Sequence, residues 1–249
     1  MSPLLSILLL ATLGSVAGLI GGVVFLFKKE WARSLSHYAV PFAAGVLLSV
    51  SILHLLPEAA REAGEIAYPI ILIALLFSFF FEQYFAHLHH HEDRKQTLTK
   101  ATAPLVIFGD TIHNFIDGVA IASAFLVDPN FGLVVTIATF LHETPHEIGD
   151  FGVLMSAGWS RTKTFVANFL SALATFPGAL LVFFLIRDAH DKIGALLSFS
   201  AGIFLYLGAS DFLPEVGEEE EGISTGKKIF LLVLGVVIMY LLALISPEH

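Results

Sequence analysis

Long, nearly unbroken apolar stretches alternate along this chain with short polar connections. A helix needs about 20 mostly apolar residues to cross a bilayer. Eight stretches meet that length: 3–27, 37–57, 67–87, 103–127, 131–157, 164–186, 193–214 and 229–246. Their apolar runs are continuous rather than alternating, which predicts helices and not a β-barrel. The first stretch lacks a basic flank and exceeds the roughly 7–15 apolar residues of a signal peptide. It is expected to be a spanning helix. The predicted fold class is an all-α integral membrane protein with eight transmembrane helices, forming a single domain over residues 1–249.

The polar positions orient these spans. All 13 Lys and Arg residues fall between them. Lys28, Lys29, Arg33, Arg94, Lys95, Lys100, Arg161, Lys163, Lys227 and Lys228 follow the odd-numbered spans; only Arg61, Arg187 and Lys192 follow the even ones. Positively charged loops stay cytoplasmic, so both termini are expected on the non-cytoplasmic side. A repeat is also visible. Residues 44–59 (AGVLLSVSILHLLPEA) and 201–216 (AGIFLYLGASDFLPEV) align without gaps and share Leu56-Pro57-Glu58 with Leu213-Pro214-Glu215. The charge orientation runs the two copies in opposite directions. An inverted repeat is a signature of transporters, whose substrate sites lie near the midplane. The expected arrangement is 3+2+3, with spans 1–3 and 6–8 related around central spans 4 and 5.

Composition narrows the class further. Hydrophobic residues make up 56% of the 249 residues and charged residues 14%, against about 25% charged in an average soluble domain. A soluble globular enzyme and a disordered chain are both excluded. There is no Cys among the residues, but there are 11 His. Metal chemistry therefore falls to imidazoles and carboxylates.

Those groups cluster deep in spans 4 and 5. Span 4 carries His113-Asn114-Phe-Ile-Asp117 and span 5 carries His142-Glu143-Thr-Pro145-His146-Glu147. Both place polar groups at relative positions 0, 1 and 4, on one helical face. Asp128-Pro129-Asn130 joins the two spans as a hairpin. At a rise of ~1.5 Å per residue, Asp117 and His142 lie about 18 and 20 Å below Pro129, and His113 and His146 about 24 and 26 Å. His113, Asp117, His142 and His146 can thus meet near the midplane. Three imidazoles and a carboxylate suit a tetrahedral, zinc-like ion, and Glu143 would complete neutralisation of a dication. Glu147 is a further candidate ligand. Pro145 removes a hydrogen bond to the Leu141 carbonyl and is expected to kink span 5.

These motifs resemble those of the ZIP (Zrt/Irt-like) family of divalent metal transporters. His113-Asn114-Phe-Ile-Asp117-Gly118 looks like the fourth-helix motif HNxxD followed by Gly. His142 to Asp150 looks like the fifth-helix motif HExPHExGD. The resemblance implies transport of Zn2+, with Fe2+, Mn2+ or Cd2+ as alternatives, into the cytoplasm. Zinc is then the substrate, and no cofactor is expected. It also implies a binuclear centre in some members: one site from His113, Asp117, His142 and His146, a second from Asn114, Asp117 and Glu143 with a sixth-helix carboxylate. Span 6 has no acid there, and Thr175 stands near that place, so one dominant site is expected.

Other positions are candidates for the path. Ser51, His54 and Glu58 share a face of span 2, and Asp211 matches His54 in the repeat. His87, His89, His90 and His91 open the loop after span 3 and resemble the family's His-rich cytosolic loop, suited to weak capture of released metal. Two alternatives remain. His142-Glu143-x-x-His146 matches the HExxH pattern of zinc proteases, although Pro145 interrupts it. A zinc exporter or channel is the other. The expectation is a transporter and not an enzyme, in a plasma or bacterial inner membrane. Its partners are a divalent metal ion and the lipid bilayer, with a homodimer admitted and no nucleic acid.

The net charge of −9 fits this picture. Glu82, Asp110, Asp117, Glu143, Glu147, Asp150 and Asp211 lie within the spans, with no Lys or Arg among them. Most of the excess charge is therefore predicted inside the membrane, where only a cation or protons can neutralise it.

Overall fold

The computed structural model describes residues 1–89, 103–186, 190–217 and 223–245, and every regular element among them is helical. The α-helices are α1 (Pro3–Ala11), α2 (Ile20–Phe27), α3 (Lys29–Ser49), α4 (Leu56–Ala63), α5 (Ala67–His89), α6 (Ala103–Val127), α7 (Pro129–Ser156), α8 (Arg161–Ala172), α9 (Thr175–Leu181), α10 (His190–Tyr206), α11 (Leu213–Gly217) and α12 (Thr225–Ile245). Short π-helical segments link several of them into longer rods.

Six segments among the described residues are long and apolar enough to cross a membrane: Pro3–Phe27, Lys29–Gln83, Ala103–Val127, Arg161–Ile186, Lys192–Gly217 and Thr225–Leu244. The difference from eight stretches has two physical sources. Expected spans 2 and 3 form one apolar run, broken by a 3-10 turn at Gly64–Ile66. Gly64 has φ +63° there, a conformation that favours glycine because it has no Cβ. α7 matches expected span 5 in place but carries the densest run of polar groups, so it fails on composition.

The repeat is visible as local geometry. A π segment at Val50–Leu55 passes into α4 at Leu56, and one at Leu207–Phe212 passes into α11 at Leu213. These are the same positions of the two repeat copies. In each, Pro57 or Pro214 follows and cannot donate to the preceding turn; a π turn is one way to absorb that loss. The packing is reciprocal as well. α3 packs on the 207–212 π segment and α10 on the 50–55 one; α3 also packs along α12, and α10 along α5.

α6 and α7 lie side by side, α6 against α9 and α7 against α2. The α6–α9 approach is close. A Cβ on Gly118 would stand 2.0 Å from the Thr175 carbonyl oxygen, and one on Gly178 2.0 Å from that of Phe115. Small residues allow such backbone contact between membrane helices. Asp128 closes the hairpin: its Oδ1 accepts from the backbone N–H groups of Asn130 and Phe131 at 2.8 and 3.0 Å, capping α7. Pro129 then takes the first turn, where no donor is needed.

Candidate metal centre

On α6, residues 110, 113, 114 and 117 fall on one face at i, i+3, i+4 and i+7 spacing; on α7, 143, 146, 147 and 150 do the same. The hairpin turns these faces toward each other. His113, Asp117, His142 and Glu143 then offer one ligand atom each within 4.8 Å of one another, and all four are buried. The Nε2 of His113 lies 3.2 Å from Nε2 of His142, 2.9 Å from Oε1 of Glu143 and 3.8 Å from Oδ2 of Asp117. The Nε2 of His142 lies 3.5 Å from Asp117 Oδ2 and 3.7 Å from Glu143 Oε1. Ligand atoms 2.0–2.2 Å from a tetrahedral zinc ion stand about 3.3–3.6 Å from each other. The observed spacings bracket that value.

The surroundings prepare these atoms. The Nδ1 of His142 lies 2.9 Å from the Ala138 carbonyl oxygen. A proton on Nδ1 satisfies that bond and leaves the Nε2 lone pair facing the cluster. Both Asp117 carboxylate oxygens and Oε2 of Glu143 are buried with no hydrogen-bond partner. Buried carboxylate oxygens without donors are costly; Asp117 and Glu143 beside two neutral imidazoles would balance one dication.

The structure divides the expected site residues differently from their sequence spacing. Glu143 joins the quartet. His146 touches its edge, with its ring centroid 5.2 Å from that of His113, and groups instead with Asp110 and Asp150. Glu147 is fully buried and groups with Asp110 and Glu143. Asn114 is committed to protein partners. Its Oδ1 receives the Ser15 hydroxyl and lies 3.3 Å from Thr175 Oγ1, while its Nδ2 donates to the Asp110 carbonyl at 3.1 Å and carboxylate at 2.9 Å. Thr175 thus reaches the centre through Asn114. α7 continues as one helix through Pro145, whose missing N–H deprives the Leu141 carbonyl of its helical donor.

Asp110 and Asp150 were not singled out as ligands from the sequence. Their signal was the i−3 and i+4 spacing to His113 and His146 on the same faces. A cavity of about 280 Å³ connects the groups; its lining includes Glu82, Asp110, His113, His146, Asp150 and Asp211. Asp211 therefore lines this cavity. Ser51, His54 and Glu58 take other partners: the Leu47 carbonyl at 2.7 Å, the Met239 carbonyl at 2.9 Å and Arg61 at 2.9 Å. His87 and His89 fall in the last turn of α5, and His90 and His91 lie outside the described residues.

Comparison with known proteins points the same way. A family model described as "ZIP Zinc transporter" matches residues 89–243. The chain is 36% identical over 149 residues, 58% of its length, to "Zinc transporter zipt-7.2" of Caenorhabditis elegans. It is 37% identical over 169 residues, 64% of its length, to "Zinc transporter ZIP10" of Mus musculus. To "Zinc transporter ZIP13" of Pongo abelii it is 32% identical over 219 residues, 82% of its length. The matches span 32%, 20% and 65% of those relatives' own lengths.

Proposed function

Since the chain belongs to the ZIP zinc transporter family, we propose that it carries a divalent cation, zinc foremost, across a membrane into the cytoplasm. The cation is the substrate, held in transit by His113, Asp117, His142 and Glu143. The observation that carries this proposal is the set of four buried ligand atoms at zinc-like spacing on two facing helices, with both Asp117 oxygens lacking a hydrogen-bond partner. A dication bound there is charge-neutral, which limits the cost of holding it in an apolar bundle.

The chain is a multi-pass membrane protein, and we read it as one transporter domain over residues 1–249 with eight passes. α7 supplies the pass too polar to be recognised by composition, and the turn at Gly64 divides the 29–83 run into two. Reciprocal packing of the two π segments supports the 3+2+3 arrangement. Orientation follows the basic loops, with both termini outside. Lys28 lies 3.8 Å from the centroid of the Trp31 ring and Lys163 3.6 Å from that of Trp159; Trp residues beside cations suit a membrane–water interface. These pairs sit on the same predicted cytoplasmic side, in a plasma or bacterial inner membrane. Large apolar side chains of α12, including Ile229, Phe230, Val233, Tyr240 and Leu244, are exposed, as a lipid-facing helix requires. A homodimer is compatible but not required, because every quartet ligand comes from one chain.

Radiozinc uptake into vesicles holding the purified chain tests the proposal. Uptake that is saturable, that competing Cd2+ or Mn2+ ranks by affinity, and that is lost in Asp117→Ala is the expected result. Normal uptake by both Asp117→Ala and His142→Ala overturns the quartet.

A further inference from the structure

A second cavity, of about 590 Å³, lies along another face of α7 than the metal groups. Gly149, Gly152 and Ser156 of α7 form one wall, and α3 and the first turn of α12 contribute the other. Its charged lining is basic in balance: Lys29, His37 and Lys228 stand around one acid, Glu215. Lys228 is 2% exposed, and its Nζ donates to the Glu215 carbonyl at 3.1 Å. That bond keeps the ammonium in the cavity wall, where an unanchored lysine would extend to water. Lys29 is placed beside the cavity by the Phe25 ring, 5.8 Å from its centroid.

We propose that this cavity binds the phosphate headgroup of an anionic membrane phospholipid. The site goes beyond the metal assignment and does not depend on it; it needs only a chain that spans a membrane.

Position favours a lipid over a free anion. Lys29 opens α3, Ser156 closes α7 and Lys228 stands in the first turn of α12. These three mark one end of the bundle, the predicted cytoplasmic side. Anionic lipids are concentrated in the cytoplasmic leaflet, and basic pockets between helices on that side suit their headgroups. Lys28 and Trp31, paired at 3.8 Å, flank Lys29 in the chain and suit the interface level. The lining then turns apolar with depth. At ~1.5 Å per residue, Ile148 lies about 12 Å deeper than Ser156, and Val40 about 16 Å deeper than Lys29. A free anion uses only the basic rim. A headgroup with the start of its acyl chain fills both zones.

The α7 wall is also shaped to admit a guest. A Cβ on Gly149 meets nothing within 4 Å, and one on Gly152 meets only the Phe25 ring at 3.6 Å. Glycine within a helix is destabilising relative to alanine, and packing demands it at neither position. Its effect is to leave α7 without side chains along the cavity. A lipid seated there touches α7, which carries His142 and Glu143, together with α3 and α12. It thereby ties the metal-bearing helix to its neighbours.

The test titrates the purified full chain in detergent with dioleoylphosphatidylglycerol, and in parallel with dioleoylphosphatidylcholine and with inorganic phosphate. Native mass spectrometry counts bound lipid, and the melting temperature reads its effect on the fold. Phosphatidylglycerol is expected to be retained and to raise the melting temperature; phosphatidylcholine should bind at least about fivefold more weakly, and inorganic phosphate should shift nothing. Lys29→Gln/His37→Gln should weaken phosphatidylglycerol binding by about fivefold or more, the share of one basic group near an anionic surface. Gly149→Leu fills the cavity without touching a charge. It should lose the retained lipid while melting, without lipid, no lower than the unaltered chain; this variant keeps the test decisive if the double variant folds poorly. Equal binding of the two lipids overturns the proposal, as does full phosphatidylglycerol affinity in Gly149→Leu. A shift by inorganic phosphate equal to that by phosphatidylglycerol also overturns it, because the site then takes a soluble anion.

Discussion

The Nε2 atoms of His113 and His142 stand 3.2 Å apart, although 29 positions separate them in the chain. Both rings are buried, and Asp117 and Glu143 flank the pair. One shared cation would satisfy all four groups at once. His142→Ala removes a ligand whose partners cannot reorganise, since Ala138 fixes its ring from behind. Changes to outer-shell partners of a metal cost about 10–100-fold in affinity or activity; loss of this direct ligand is expected to exceed that. Radiozinc uptake against surface expression is the measurement, and uptake within twofold of normal contradicts the assignment.

Charge and shape can be separated at Glu143. Glu143→Gln keeps an oxygen for the 2.9 Å contact with His113 but leaves a bound dication with only one carboxylate. The expected result is a zinc affinity at least about tenfold weaker with the fold intact. Titration calorimetry beside thermal unfolding in detergent reads both quantities. An unchanged affinity would show that geometry, not charge, governs the site.

Asn114 braces the centre by joining Ser15, Thr175 and Asp110. Asn114→Leu strips their partner from several buried polar groups at once. Each buried group left unsatisfied costs about 1–3 kcal/mol. The melting temperature should fall clearly, and that of Ser15→Ala less, because Thr175 still approaches Asn114. Equal melting of Asn114→Leu and the unaltered chain would mean the brace carries no stability.

The α6–α9 contact tolerates no side chain at Gly118, where a Cβ would stand 2.0 Å from the Thr175 carbonyl oxygen. Gly118→Ala forces the backbones apart, at a cost of about 1–3 kcal/mol or more. Gly109→Ala, on the same helix with nothing within 4 Å of the added atom, is the control and should be neutral or slightly stabilising. Melting temperatures of the two variants should diverge; equal melting would mean the helices are not in contact there.

Much of this centre was legible as pattern. The expected set, His113, Asp117, His142 and His146, stood at matched depth because the hairpin turn at Asp128 sets the rise along both arms. His146 was harder to place. The spacing put it on the correct face, yet one turn further along α7 it faces Asp110 and Asp150. Helical periodicity fixes an angle to within about a residue, whereas a ligand set is decided over about an ångström. His54 and Ser51 also looked like path residues, because a polar group in an apolar span has no local sign of its partner. In the folded chain they bond to the carbonyls of Met239 and Leu47.

Composition and periodicity alone determined an all-helical membrane protein, the sequence repeat and the two polar faces. Each follows from local chemistry: the length of an apolar run, the cost of charge in lipid, the 3.6-residue turn. Only the tertiary structure decided that Glu143 joins the quartet, that Asn114 is a brace, and that Asp110 gathers a second group around His146. Those outcomes depend on how closely α6, α7 and α9 approach, which is set by side-chain packing between segments distant in the chain.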